Sequence, residues 1–251
     1  MLMVERNGPV LRLTLSRPEV KNALDEELIG GLLEAFASIR DDVRVVVLSG
    51  VGDTFCAGGD LNWMRRAASY TEEQNFQDAF RLSELFASIS TCHALVVAKV
   101  NGSVFGGGGG LVAASDYAIA VPGARFSFSE VRLGLVPATI SPFVIQKVGP
   151  GHARALFATG KVFDAGHALC IGLVHELADP EILEARVVSV IRLVLSAGPN
   201  AVAAAKRLAT EPPLSGSEAA RLLSRIRATD EAKEGLAAFL EKRKAAFVSE
   251  P

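Results

Sequence analysis

Residues 100–116 read VNGSVFGGGGGLVAASD, and the reading of the five consecutive glycines Gly106 to Gly110 decides the fold. They stand between an apolar run and the opening of a short apolar helix. A glycine within a helix costs roughly 1 kcal/mol relative to alanine, so several at a helix start need a reason. Close approach of a ligand to backbone that lacks Cβ atoms is such a reason. The first amides of a helix have no internal acceptor and carry the positive end of its dipole. A glycine-lined helix start is therefore a seat for a phosphate, or for an oxyanion that develops during a reaction. The alternative is a flexible linker. The apolar segments 95–100 and 111–114 on either side argue against it, because glycine linkers usually lie among polar residues. The glycines alone do not separate phosphate from oxyanion.

Working outward, residues 43–49 (VRVVVLS) and 95–100 (LVVAKV) are short β-branched runs, as expected of parallel strands buried on both faces. Each leads to glycines, the first through the loop 50–60 (GVGDTFCAGGD). Two such turns after two parallel strands fall at one end of a sheet, where open α/β folds place ligands. Upstream, residues 4–7 and 10–15 form a hairpin about Gly8, and Asp25 caps a helix reaching Arg40. Helices are expected over 61–66 and 71–90, the second with a Thr71/Gln74 capping box and an apolar stripe of Phe76, Phe80, Leu85, Phe86 and Ile89. Downstream come strands over 116–121 and 124–132, and helices over 140–148, 152–159 and 164–170. A last short strand covers 174–177, and everything from Pro180 onward reads as helix. The change to all-helix near Ser196 marks an appendage rather than a second core.

The 251 residues can bury a full core, and an apolar share of 49% suggests surface covered by other subunits. A net charge of −2 shows no electrostatic footprint for nucleic acid. Cys56, Cys92 and Cys170 lack CxxC spacing and no signal peptide is evident, which fits a reduced, cytoplasmic setting; Cys56 and Cys170 read as buried packing residues. The four histidines have no ligand spacing, so no metal site is expected. No run of 18 apolar residues exists to span a membrane.

At 55–61 (FCAGGDL), 101–110 (NGSVFGGGGG) and 126–137 (FSFSEVRLGLVP) the chain resembles the enoyl-CoA hydratase/isomerase, or crotonase, family. The likeness extends from SRPEVKNAL (16–24) to FLEKRKAAF (239–247). It implies an α/β fold, a spiral of ββα turns over 1–195 carrying an acyl-CoA site, with a helical oligomerisation region over 196–251. A homotrimer or dimer of trimers is implied. So is an acyl-CoA thioester as substrate, coenzyme A being part of that substrate and no separate cofactor being needed. Carried over, the oxyanion hole is the amides of Gly59 and Gly107, and the acid–base group is Glu130. Val20, Ala23, Ala57, Asp60, Leu61 and Gly106 are the implied substrate contacts, with Phe239 and Lys242 meeting the coenzyme A of a neighbouring subunit. From the residues alone, Asp60 reads as a cap for the helix at Leu61, Lys242 as part of a solvated charge run, and Glu130 as an exposed acid near Arg125 or Arg132.

The chain departs from the pattern at Gly110, where hydratases with two catalytic glutamates carry the first. Three readings stay open: a hydratase of 2-enoyl-CoA, a Δ3,Δ2-enoyl-CoA isomerase using one glutamate, and a non-catalytic acyl-CoA-binding protein. DLNWM (60–64) and EVRLGLVPATISPFV (130–144) resemble the methylglutaconyl-CoA hydratase-like branch of leucine and isoprenoid breakdown, which places the hydratase first. A distal carboxylate on the acyl group needs a cation, for which Arg65 and Arg66 are the candidates.

Overall fold

Leu11, Leu13 and Leu15 alternate along the second strand of the opening hairpin, and that alternation buries one of its faces. The computed structural model describes residues 1–250. Strands β1 (Leu2–Asn7) and β2 (Val10–Leu15) pair antiparallel about Gly8. Helix α1 (Glu26–Ala37) starts at Asp25, whose carboxylate accepts from the Leu28 amide at 2.9 Å.

Three passes through one unit follow. In the first, β3 (Val45–Gly50) and β4 (Thr54–Cys56) precede α2 (Leu61–Ala67) and α3 (Glu72–Thr91). In the second, β5 (Leu95–Val100) and β6 (Ser103–Phe105) precede α4 (Gly107–Ala114). In the third, β7 (Tyr117–Ala120) and β8 (Arg125–Ser127) precede α5 (Ser141–Thr159), which breaks at Gly149 with φ 76°. Strand β9 (Phe163–Asp164), α6 (Ala165–Cys170), β10 (Glu176–Leu177) and α7 (Pro180–Leu195) close the core. The first strand of each unit joins a six-stranded sheet, β1-β2-β3-β5-β7-β10, parallel from β2 onward. The second joins a four-stranded sheet, β4-β6-β8-β9. The expected ββα spiral is the observed fold.

The second sheet corrects the sequence reading. Residues 50–60 are not one loop, and 95–100 does not run straight into the glycines. Strands β4 and β6 intervene, each three residues long and so too short to show a period of two. They pair parallel, which puts both glycine turns side by side at the ends of the small sheet rather than the large one. The strand expected over 124–132 stops at Ser127 and gives way to a single 3₁₀ turn, Glu130–Leu133. The stripe on α3 is buried only at Leu85, Phe86 and Ile89; Phe76 and Phe80 stack on each other in solvent, ring centres 5.8 Å apart. Cys170 is exposed, not buried.

After Leu195 come α8 (Pro199–Thr210), α9 (Gly216–Ala228) and α10 (Asp230–Leu240). Ala238 is the one buried apolar residue among those described after Leu195. Two cations fasten this region to the core. Lys206 reaches the Cys92 and Ala94 carbonyls at 2.7 and 2.6 Å and the Asp116 carboxylate at 2.6 Å. The Arg44 guanidinium donates to the carbonyls of Val194, Ala197 and Phe247. No single helix among the described residues is long and apolar enough to cross a membrane.

Candidate active site

The segment after β2 is a strap. A 3₁₀ turn over Pro18–Val20 ends in Lys21 and Asn22, both left-handed with φ 54° and 56°. Asn22 is fully buried and completely bonded, its amide group donating to the Val51 and Thr54 carbonyls at 2.9 and 2.7 Å and its oxygen accepting from the Arg17 amide. The strap then bonds to the glycine turn that follows β4. The Ala57 amide donates to Lys21, the Leu24 amide to Gly58 at 2.7 Å, and the Asp60 amide to Leu24 at 2.8 Å. Leu24 and Gly59 thus form an isolated parallel bridge. Successive amides of an extended chain point to opposite sides. Because the Asp60 amide faces Leu24, the Gly59 amide faces away from it, and it has no acceptor among the described residues.

Asp60 fixes this turn rather than offering a free carboxylate. One oxygen accepts from the amides of Asn62 (2.7 Å) and Trp63 (3.2 Å), capping α2, and the other takes the Arg17 guanidinium at 3.0 Å. Arg17 also pairs with Asp25 at 2.9 Å. Burial alone would push the Asp60 carboxyl up; the two amides and Arg17 outweigh it and hold it below its ordinary value.

The second turn leaves β6 at Gly106, whose φ of 48° and ψ of −120° start α4. Gly107 is the first helical residue, and its amide likewise has no acceptor among the described residues. A Cβ on Gly58 (φ 93°) would stand 3.1 Å from the Phe105 carbonyl oxygen and 3.7 Å from the Gly106 Cα. The two turns pass backbone against backbone, which only glycine allows.

Glu130 completes the cluster. Its Oε1 lies 3.3 Å from the point a Cβ on Gly106 would occupy, and its Oε2 is buried without a hydrogen-bond partner. It forms no ion pair among the described residues. Arg125 is exposed, and Arg132 donates instead to the Gly160 carbonyl at 3.2 Å, where the Ser127 hydroxyl also donates. Burial pushes the Glu130 carboxyl above its ordinary value, with its own backbone amide offsetting part of the rise. Phe126 and Phe128, which precede Glu130 in sequence, are buried, whereas Leu133 is 61% exposed. At Gly110 a Cβ would stand 2.5 Å from Ile140 and 2.7 Å from the Phe86 ring, so no side chain can occupy that position without displacing both. Among the described residues, no three of His, Cys, Asp and Glu are grouped so as to hold a metal ion.

Of the other expected contacts, Val20 and Ala57 are half-buried on the strap and turn, and Ala23 is buried with its carbonyl accepting from Arg17. Leu61, 69% exposed, opens α2. Phe239 and Lys242 are exposed at the end of α10 and stand on none of the elements that form the cluster. Arg66 pairs with Glu26 at 2.6 Å, whereas Arg65 donates to Asn62 and has no acidic partner among the described residues. Asn22 and Leu24 escaped the sequence reading. An Asn two residues past Pro18–Glu19–Val20 is a signal for left-handed backbone; Leu24 acts only through its peptide groups and leaves no signal.

The enoyl-CoA hydratase/isomerase family model matches residues 5–250. A crotonyl-CoA hydratase of Syntrophomonas wolfei is 33% identical, the match covering 99% of this chain and 98% of that one. A carnitinyl-CoA dehydratase of Salmonella arizonae is 33% identical over 96% of each. Among solved structures, Pseudomonas aeruginosa AtuE superimposes with a TM-score of 0.94 at 38% identity, covering 99% of both chains. The chain belongs to the enoyl-CoA hydratase/isomerase family and is an enzyme of that class.

The site's electrostatics have a consequence for stability. A carboxyl raised above its unfolded value of 4.5 binds its proton more tightly in the folded chain. Stability is therefore lost as pH rises from about that value through the folded one, and the loss is absent below. Glu130→Gln removes the cost. Its melting temperature should exceed that of the wild type at pH 8, with the gap closing toward pH 4, in parallel thermal melts.

Proposed function

We propose that this enzyme adds water across the double bond of a 2-enoyl-CoA, with one carboxylate as acid and base. The observation that carries the proposal is the Glu130 carboxyl, buried with a free Oε2 beside the Gly58–Gly106 contact that brings two unpartnered amides together. Attack of the water oxygen on C3 forms the C–O bond and drives the double-bond electrons toward the thioester carbonyl. The Gly59 and Gly107 amides donate to the oxygen where that charge gathers, and losing one such donor typically costs about 2.7–4 kcal/mol. Glu130 takes a proton from the water as the bond forms and returns it to C2. The carbonyl is restored and the product is the 3-hydroxyacyl-CoA. A carboxyl held above its ordinary value suits both halves of this transfer.

The sealed space at Gly110 supports a single-glutamate mechanism. It equally favours a second reading, in which Glu130 carries a proton between C2 and C4 of a 3-enoyl-CoA. The hydratase and dehydratase names of the relatives favour hydration. For the acyl group the proposal is a branched, methylglutaconyl-type chain, and the cation available to a distal carboxylate is Arg65. The proposed setting is cytoplasmic, which the three free thiols support.

Residues 196–251 are proposed to form a homotrimer or dimer of trimers, bringing Phe239 and Lys242 to the coenzyme A of a neighbour. Leu208, Leu223, Leu236, Phe239 and Leu240 are exposed in the single chain, which supports a covering subunit. Light scattering should give three or six times the 26.5 kDa chain mass; a single-chain mass at micromolar concentration would refute the assembly.

The catalytic reading is tested with Glu130→Gln, which keeps shape and cannot exchange a proton. Turnover should fall by about 10²–10⁴. Assayed on both isomers, a hydratase forms the 3-hydroxy product from 2-enoyl-CoA, whereas an isomerase converts 3-enoyl-CoA and leaves the 2-enoyl product unhydrated. Full activity in the variant would remove Glu130 from the mechanism.

A further inference from the structure

Trp63 is the chain's one tryptophan and lies four residues after Gly59 in sequence, in the first turn of α2. It is only 8% exposed. Its ring atom Cε3 lies 3.7 Å from the point a Cβ on Gly59 would occupy, and Met64 Cγ and Sδ lie 3.6 Å from the same point. These two side chains wall the oxyanion glycine. The wall has something to do. Gly58 and Gly59 have no side chains of their own to limit rotation of the peptide between them. Leu24 grips the Gly58 carbonyl and the Asp60 amide, which leaves the donor amide between them supported from one side.

The ring is itself held. The indole N–H donates to Asp78 Oδ1 at 3.1 Å, tying seven-residue α2 to α3, a twenty-residue helix with a complete capping box. Asp78 forms no ion pair among the described residues. Burial pushes its carboxyl up; the Trp63 bond opposes this, Glu26 adds to it, and the charges of Arg81 and Arg66 act weakly from a distance. Removing a carboxylate partly from water without a cation is costly, so its retained partner, the indole, indicates what it serves.

We infer that Asp78 is a positioning residue for the oxyanion donor at Gly59, acting through the Trp63 indole that also bounds the acyl end of the site. The inference rests on the proposed roles of Gly59 and the acyl-CoA. It makes Trp63 a built-in reporter, because a lone tryptophan beside the thioester senses an acyl chain and not the distant nucleotide.

The variants are Asp78→Leu, which removes the acceptor; Asp78→Asn, which keeps an oxygen acceptor; and Trp63→Phe. Each is checked by thermal melt, then assayed for kcat and KM on crotonyl-CoA and for coenzyme A affinity by calorimetry; the wild type and the Asp78 variants, which keep Trp63, are also read for its emission with butanoyl-CoA against free coenzyme A. Wild-type emission should shift with butanoyl-CoA and not with coenzyme A. Asp78→Leu and Trp63→Phe should each lower kcat about ten- to a hundredfold, as small misplacements of catalytic geometry do, without weakening coenzyme A binding. Asp78→Asn should restore most of the loss. In the Trp63→Phe background, Asp78→Leu should change kcat by less than about twofold. Wild-type kcat in Trp63→Phe, or an Asp78→Asn as impaired as Asp78→Leu, would overturn the inference, and the first decides it even if Asp78→Leu does not fold. A wild type that shifts emission with butanoyl-CoA yet forms no 3-hydroxy product would overturn the hydratase reading alone.

Discussion

Two hydrogen bonds between Leu24 and the turn around Gly59 set the geometry of the proposed active site. By taking the Gly58 carbonyl and the Asp60 amide, Leu24 compels the intervening Gly59 amide to face the other way. Asn22, buried and bonded to the first residue of β4 and to Val51 in the loop before it, sets the strap at the height where those bonds can form. Arg17, shared between Asp25 and Asp60, then locks the strap to the starts of α1 and α2. A donor without a side chain is thereby aimed with the rigidity of a sheet.

The site consists of groups that folding leaves unsatisfied. Two amides have no acceptor among the described residues, and one carboxylate oxygen is buried without a donor. A buried polar group left unpaired costs about 1–3 kcal/mol. The parallel sheet beneath, with Val46, Val47, Leu48, Val96, Val97 and Ala98 at 1% exposure or less, offsets such a cost and keeps the groups from relaxing toward each other. The seal at Gly110 follows from the same packing. Phe86 on α3 and Ile140 before α5 close over α4, so the missing second acid reflects a filled core rather than an open hole.

Much of this was legible. The glycine run marked the start of α4, the apolar runs named β3 and β5, and the Asp25 and Thr71 caps marked helix starts that the structure keeps. What escaped was short or made of backbone. Strands of three residues or fewer have no readable period, so the sequence carries no signal for the second sheet. The Leu24 bridge uses no side chain. Phe76 and Phe80 follow the helical period of α3 but lie on its first turns, beyond the reach of the core, so periodicity overstated their burial. From the residues alone Glu130 reads as an exposed acid, because Arg125 and Arg132 flank it in sequence; the fold instead buries its carboxyl, and Arg132 turns to the Gly160 carbonyl.

The proposed chemistry depends on one oxygen meeting two amides. A crystal structure with bound butanoyl-CoA, which cannot be hydrated, tests that directly. The thioester oxygen should lie about 2.7–3.1 Å from the amide nitrogens of both Gly59 and Gly107, with the Glu130 carboxyl beside C2. A thioester oxygen bound by any other pair of donors, or a Glu130 carboxyl turned away from C2, would contradict it.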